Sequence, residues 1–126
     1  MKVLVCGGRD YDSWDVLYST LYEIFDSGLR DLSEPFIVVE GGATGADFLA
    51  RVWAKYMAIE FPVTFEEYPA DWKAHGKAAG AIRNQQMLDL AKPELVVAFP
   101  GGRGTADMVS RAKKAGVKVI EVKDEM

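Results

Sequence analysis

Few side chains in this 126-residue chain are equipped for chemistry. It has one histidine, His75, and one cysteine, Cys6, which excludes an internal disulfide and a cysteine-based zinc site and leaves few general bases. No Ser-His-Asp arrangement or metal-ligand spacing stands out, so no metal is expected. The carboxylates to consider are Asp10, Glu40, Asp47, Asp71 and Asp107, each beside a glycine-rich or turn-forming stretch. Glu40 ends an apolar run directly before Gly41, where burial would raise its pKa. Asp107 follows "GGRGTA". Glu40 and Asp107 are the candidate catalytic groups, while Asp47 reads more simply as a helix cap.

Binding chemistry is better marked. Three stretches, "KVLVCGGRD", "FIVVEGGATGAD" and "FPGGRGTADM", each place glycines between an apolar run and a helical pattern. Glycine allows positive φ and close approach of a ligand to the backbone. Free N–H groups at a helix start favour an anion. The expected ligand-binding set is therefore Gly7, Gly8 and Arg9, then Gly41, Gly42, Thr44, Gly45 and Asp47, then Gly101, Gly102, Gly104 and Thr105. Its ligand would be a phosphate or ribose-phosphate group. Any one Gly-Gly pair could instead serve only a tight turn. None of the stretches matches a Walker A loop or G-x-G-x-x-G, so a standard NTPase or dehydrogenase is not expected.

A fourth passage, "YPADWKAHGKAAGAIRNQQML" (Tyr68–Leu88), adds His75, Arg83 and Asn84. Arg83 suits phosphate, and Asn84 and His75 offer hydrogen bonds. The competing readings are an interior salt bridge for Arg83 and a loop contact for His75. Trp72 reads as a packing residue. Gly76 and Gly80 fall inside the helical pattern, where each costs roughly 1 kcal/mol and implies close approach of another group.

These residues need a frame. Apolar runs predict strands at Lys2–Cys6, Phe36–Glu40, Val63–Glu67, Leu95–Phe99 and Val117–Val122, the third alternating like an edge. Helices are expected over Trp14–Ser27, Thr44–Ile59, Gly76–Leu90 and Thr105–Ala115. Thr44 and Asp47 would form a capping box, Phe48, Val52 and Met57 the inner face of the second helix, and Gly116 the stop of the last. The β-α alternation predicts a Rossmann-like α/β fold: a doubly wound parallel five-stranded sheet with helices on both faces, one domain over residues 1–126. Strand order 3-2-1-4-5, which the fold class suggests, would bring the three glycine turns to one crevice.

The net charge of −4 and pI near 5.0 disfavour nucleic acid as the partner. No apolar run approaches the ~20 residues of a membrane span, and no signal peptide is visible. The expected setting is cytoplasmic, the partner a small-molecule nucleotide derivative, and no further cofactor is required. A homo-oligomer is left open.

"GGRDY", "EGGATGAD", "PADWKAHGKAAGAIRNQQML" and "FPGGRGTADM" together resemble the YspA-type, cpYpsA-related branch of the SLOG superfamily, over Met1 to Val122. That superfamily is Rossmann-like and includes DprA and the LOG phosphoribohydrolases, with this branch found in bacteria and phages. The resemblance implies a nucleotide-derived ligand (a nucleoside phosphate, ADP-ribose or an NAD-like molecule) on the glycine loops. Its alternatives are N-glycosidic cleavage of a nucleoside monophosphate, and single-stranded nucleic-acid binding or scaffolding. Pro100, Gly101, Gly102, Gly104, Thr105, Arg83 and Met87 match the LOG pattern PGG-x-GT-x-x-E with R-x-x-x-M. The Glu of that pattern, part of the LOG catalytic machinery, is Met108 here. Asp107, one position back, points about 100° away around a helix.

Overall fold

Short apolar runs bounded by turn residues become five parallel strands: β1 (Lys2–Cys6), β2 (Phe36–Glu40), β3 (Val63–Glu67), β4 (Leu95–Ala98) and β5 (Lys118–Glu121). The structure is a computed structural model that describes residues 1–28 and 33–123. The strands pair in the order β3-β2-β1-β4-β5. β1 registers Val3 on Val38 to one side and on Leu95 to the other. This is the doubly wound sheet expected, with β3 at an edge.

Side chains alternate across the sheet, so each strand feeds two cores. Val3, Val5, Val38 and Val97 meet Leu17, Leu21 and Phe25 of α1 (Trp14–Gly28) and Trp53 of α2 (Ala46–Met57). Leu4, Val39, Val96 and Ala98 face Met87, Leu88, Met108 and Ala112 on the other side. Val3, Leu4 and Val5 are wholly buried, and burying such a side chain contributes roughly 1.5–3 kcal/mol.

Three local expectations need correction. Helix α2 turns Ala46, Ala50, Trp53, Ala54 and Met57 inward, while Phe48 and Val52 face out at 48% and 36% exposure. A row of alanines lets the helix sit close to the sheet, and the larger side chains lose that competition. The capping box also fails. Gly45 is the N-cap, at φ 73°, and the Thr44 hydroxyl donates to the Arg9 carbonyl at 3.1 Å instead.

The third correction concerns the passage before β4. One continuous helix was expected there. The chain instead forms a short helix α3 (Trp72–His75), a 3-10 turn (Gly76–Ala78), α4 (Ala79–Gln86) and a wider π turn (Met87–Ala91). Gly76 causes the break, since its φ of 55° is left-handed and ends α3. Asp71 caps α3 by accepting from the Ala74 amide at 3.0 Å. Helix α5 (Arg103–Lys114) ends as expected, with Gly116 at φ 77° and the Val117 amide donating back to the Ala112 carbonyl.

Candidate functional site

The loops after β1, β2 and β4 meet beyond the carboxyl edge of the sheet, and the contacts among them are direct. The Gly8 amide donates to the Pro100 carbonyl at 2.9 Å, and the Gly8 carbonyl accepts from Ala46 N at 3.1 Å. A Cβ on Gly7 would stand 2.6 Å from that of Ala46, and one on Gly101 would stand 2.6 Å from the Gly8 amide. These glycines are there for backbone against backbone.

The second loop is held from within. Asp47, 6% exposed, accepts through Oδ2 from the amides of Gly41 (3.1 Å) and Ala43 (3.3 Å). Glu40, fully buried, accepts the Gly42 amide at 2.6 Å. The expectation of amides free for an anion is thereby corrected for five amides of the first two loops. Gly8, Gly41, Gly42, Ala43 and Ala46 all spend their N–H groups on the protein itself. At α5 the situation differs. The first-turn amides of Arg103, Gly104 and Thr105 have no intrahelical carbonyl to reach, and a Cβ at Gly102 or Gly104 would meet open space.

This helix start borders a cleft of about 660 Å³. Gly7, Gly8, Arg9, Asp47, Arg83, Asn84, Gly102, Gly104, Thr105 and Asp107 of the expected set line it. Gly41, Gly42 and Thr44 line an adjoining hollow of about 360 Å³, which shares Arg9, Trp72 and Arg83 with the cleft. Gly45 lies under the Gly8 and Arg9 backbone, and Gly101 packs on Gly7 and Gly8. Neither Gly45, Gly101 nor His75 lines the cleft. His75 is exposed and ends α3.

Arg83 and Asn84 form the hinge of the arrangement. Arg83 donates through Nη1 to the Gly41 carbonyl and through Nε to Asn84 Oδ1. Asn84, 4% exposed, donates in turn to the Gly104 carbonyl (3.2 Å) and to Asp107 Oδ2 (3.0 Å). The β2 loop, α4 and the start of α5 are thus one hydrogen-bonded unit. Arg83 enters no salt bridge among the described residues, but its guanidinium is already partly used.

The two candidate catalytic carboxylates are far from equivalent. Glu40 lines neither the cleft nor the hollow. Burial pushes its carboxyl up to about 7, against the Gly42 amide and with Asp47 and Glu67 adding to the rise. Asp107 does face the cleft. Its partial burial opposes ionisation, but hydrogen bonds from Arg111 and Asn84 outweigh this and hold its pKa below the usual range. Met108 is fully buried beneath α5, so the helix turns Asp107, not residue 108, towards the cleft.

Cys6, Trp72, Lys77, Gly80 and Arg103 also line the cleft, outside the expected set. Burial, with Asp47 nearby, pushes the Cys6 thiol up to about 12, which makes it a poor nucleophile. Trp72 is 49% exposed instead of packed inward, with the Arg9 guanidinium 5.3 Å from its ring. "RGT" and "WKAHGK" carried Arg103 and Lys77 in plain view, but their convergence joins two separate passages, the start of α5 and the turn after Gly76.

Residues 1–75 match the family described as YspA, cpYpsA-related SLOG. The chain belongs to this family. The match ends at His75, so it holds the first two glycine loops of the SLOG chain, while Arg83 and the α5 loop lie beyond it. The chain is also similar to "Gene 61 protein" of Mycobacterium phage D29, with 39% identity over 133 residues and 98% of each chain covered. That alignment runs past His75 over the stretches that carry Arg83 and the α5 loop.

Proposed function

We propose that this SLOG protein binds a nucleotide-derived ligand in the cleft, with a phosphate group at the start of α5. One observation carries the reading. In a chain of net charge −4, the cleft gathers Arg9, Lys77, Arg83 and Arg103 around the free first turn of a helix. The two facing carboxylates do little to offset them: Asp47 is occupied by backbone amides and Asp107 by Arg111 and Asn84. A focused positive field and open N–H groups together favour a phosphate. The half-exposed Trp72 ring offers a face for a base to stack on. Calorimetry with AMP, ADP-ribose, NAD and cyclic nucleotides tests the reading, and no binding of any of them at millimolar concentration would overturn it.

A second reading, hydrolysis of the N-glycosidic bond of a nucleoside monophosphate, draws support from Asp107 alone. Its ionised carboxylate in the cleft could stabilise an oxocarbenium-like transition state. Release of ribose-phosphate from AMP, abolished by Asp107→Asn, would establish it. Absence of release across a panel of nucleotides would leave binding as the function.

A further inference from the structure

Asp107 spends only one of its two oxygens on the protein. Arg111 Nε (2.8 Å) and Asn84 Nδ2 (3.0 Å) both donate to Oδ2. Oδ1 accepts no hydrogen bond among the described residues, and it is not one of their buried, unpartnered atoms. Both donors are themselves fixed. Asn84 is 4% exposed and also donates to the Gly104 carbonyl, and Arg111 Nη1 donates to Gln85 Oε1 at 3.0 Å. Arg111 and Gln85 line an outer hollow and not the cleft, whereas Asp107 borders both. The carboxylate is thus held in orientation from outside the cleft, with one acceptor left over.

An ionised carboxylate in a cleft for phosphate calls for an explanation, because it repels the phosphate and can only accept hydrogen bonds. Its partner must be a neutral donor elsewhere on the ligand. Asp107 lies three residues after Gly104, about 4.5 Å further along the helix and on the same side of it. A nucleoside 5′-phosphate with its phosphate on the first-turn amides brings its sugar to that level, and the base lies beyond it. The other carboxylate of the cleft, Asp47, is 6% exposed, against 33% for the Asp107 side chain. We propose that Asp107 Oδ1 accepts a hydrogen bond from a sugar hydroxyl and so selects ribonucleotides over nucleotides that lack that hydroxyl. This rests on the phosphate reading of the cleft.

Calorimetry with AMP, 2′-deoxy-AMP and 3′-deoxy-AMP tests it. The wild-type chain is expected to bind AMP at least tenfold more tightly than one of the deoxy forms, as befits a hydrogen bond to a charged acceptor. Asp107→Asn changes the chemistry with little change of shape. Two N–H donors converge on Oδ2, so the amide oxygen must take that place and the NH2 the place of Oδ1. In this variant AMP should lose most of its advantage, and the disfavoured deoxy form should lose no affinity. Asp107→Ala, which favours the helix, should show the same selective loss, with circular dichroism confirming the fold of both variants. Equal wild-type affinity for all three nucleotides overturns the proposal while leaving the phosphate reading intact. An advantage that persists in both variants also overturns it and gives the sugar to another acceptor. Failure of AMP to bind at millimolar concentration overturns it too, and the phosphate reading falls with it only if ADP-ribose, NAD and cyclic nucleotides fail as well.

Discussion

Arg83 and Gly41 belong to different β-α units, yet Arg83 Nη1 donates directly to the Gly41 carbonyl at 2.5 Å. A side chain that lines the cleft is therefore also a structural strut. Arg83→Ala should lower stability by about 1–2 kcal/mol, the cost of leaving a half-buried carbonyl and Asn84 under-satisfied. Urea denaturation measures it. Loss of ligand affinity in that variant would not separate contact from distortion.

Arg103 gives the cleaner test of the phosphate reading. It is exposed at the start of α5 and enters no ion pair among the described residues. Arg103→Ala should leave stability within about 0.5 kcal/mol. It should weaken a nucleotide by roughly tenfold, the value of one charge-assisted contact, and leave the matching nucleoside unchanged. Calorimetry with both ligands decides, and equal weakening of the two would place the phosphate elsewhere.

Glycines in the same loops should respond in opposite ways. Gly102 has φ −102° and its Cβ would meet open space, so Gly102→Val should cost less than about 1 kcal/mol as an N-cap change. It should nonetheless block ligand approach at the α5 start. Gly45 has φ 73°, and a Cβ there would collide with the Gly8 carbonyl. Gly45→Ala should cost roughly 2–3 kcal/mol and lower the thermal midpoint clearly. Thermal melts and titrations of the two variants side by side check both halves.

Glu40 predicts a pH dependence. Its pKa rises from 4.5 unfolded to about 7 folded, so the folded state holds the proton more tightly. The associated stability is fully present below about pH 4.5 and is lost as pH rises through 7. The loss amounts to at most about 3 kcal/mol. Glu40→Gln keeps an acceptor for the Gly42 amide and removes the charge. It should be more stable than wild type at pH 8 and match it near pH 4. Equal urea midpoints at both pH values would show that Arg51, 3.8 Å from Glu40 Oε2, fully compensates the buried charge.

The departure from the LOG pattern at position 108 has its own test. Met108 is fully buried between α5 and the sheet, so Met108→Glu would bury an unpaired carboxylate. It should destabilise the chain by about 3 kcal/mol or more and add no release of ribose-phosphate. A stable Met108→Glu protein that cleaves AMP would mean that α5 can rotate this position into the cleft.

The strands were legible because each is an apolar run closed by glycine, proline or an acid, a local signal that burial on both faces makes strong for β1, β2 and β4. Helix faces were less so. The outward turn of Phe48 and Val52 depends on which residues let α2 approach the sheet most closely, and a list of apolar positions does not rank them by size. The site was legible as a set of loops but not as a set of functions. Whether the Gly8 or Gly41 amide is free depends on Pro100 and Asp47, residues from elsewhere in the chain. Trp72 and Lys77 lie on either side of the kink at Gly76, one left-handed residue, and line the same cleft as Arg103 of α5.

The position of β1 has a consequence for how the molecule comes into being. This strand is made first yet lies in the middle of the sheet, flanked by β2 and β4. Val3, Leu4 and Val5, wholly covered in the end, must wait with one edge unpaired until Leu95–Ala98 has been synthesised. Such late pairing slows folding and leaves apolar surface open to other chains meanwhile. The cleft is completed by the same event, because its α5 wall follows β4 directly. A nascent chain halted before β4 would therefore be both sticky and without its cleft, and it would gain both protection and a complete cleft in a single late step.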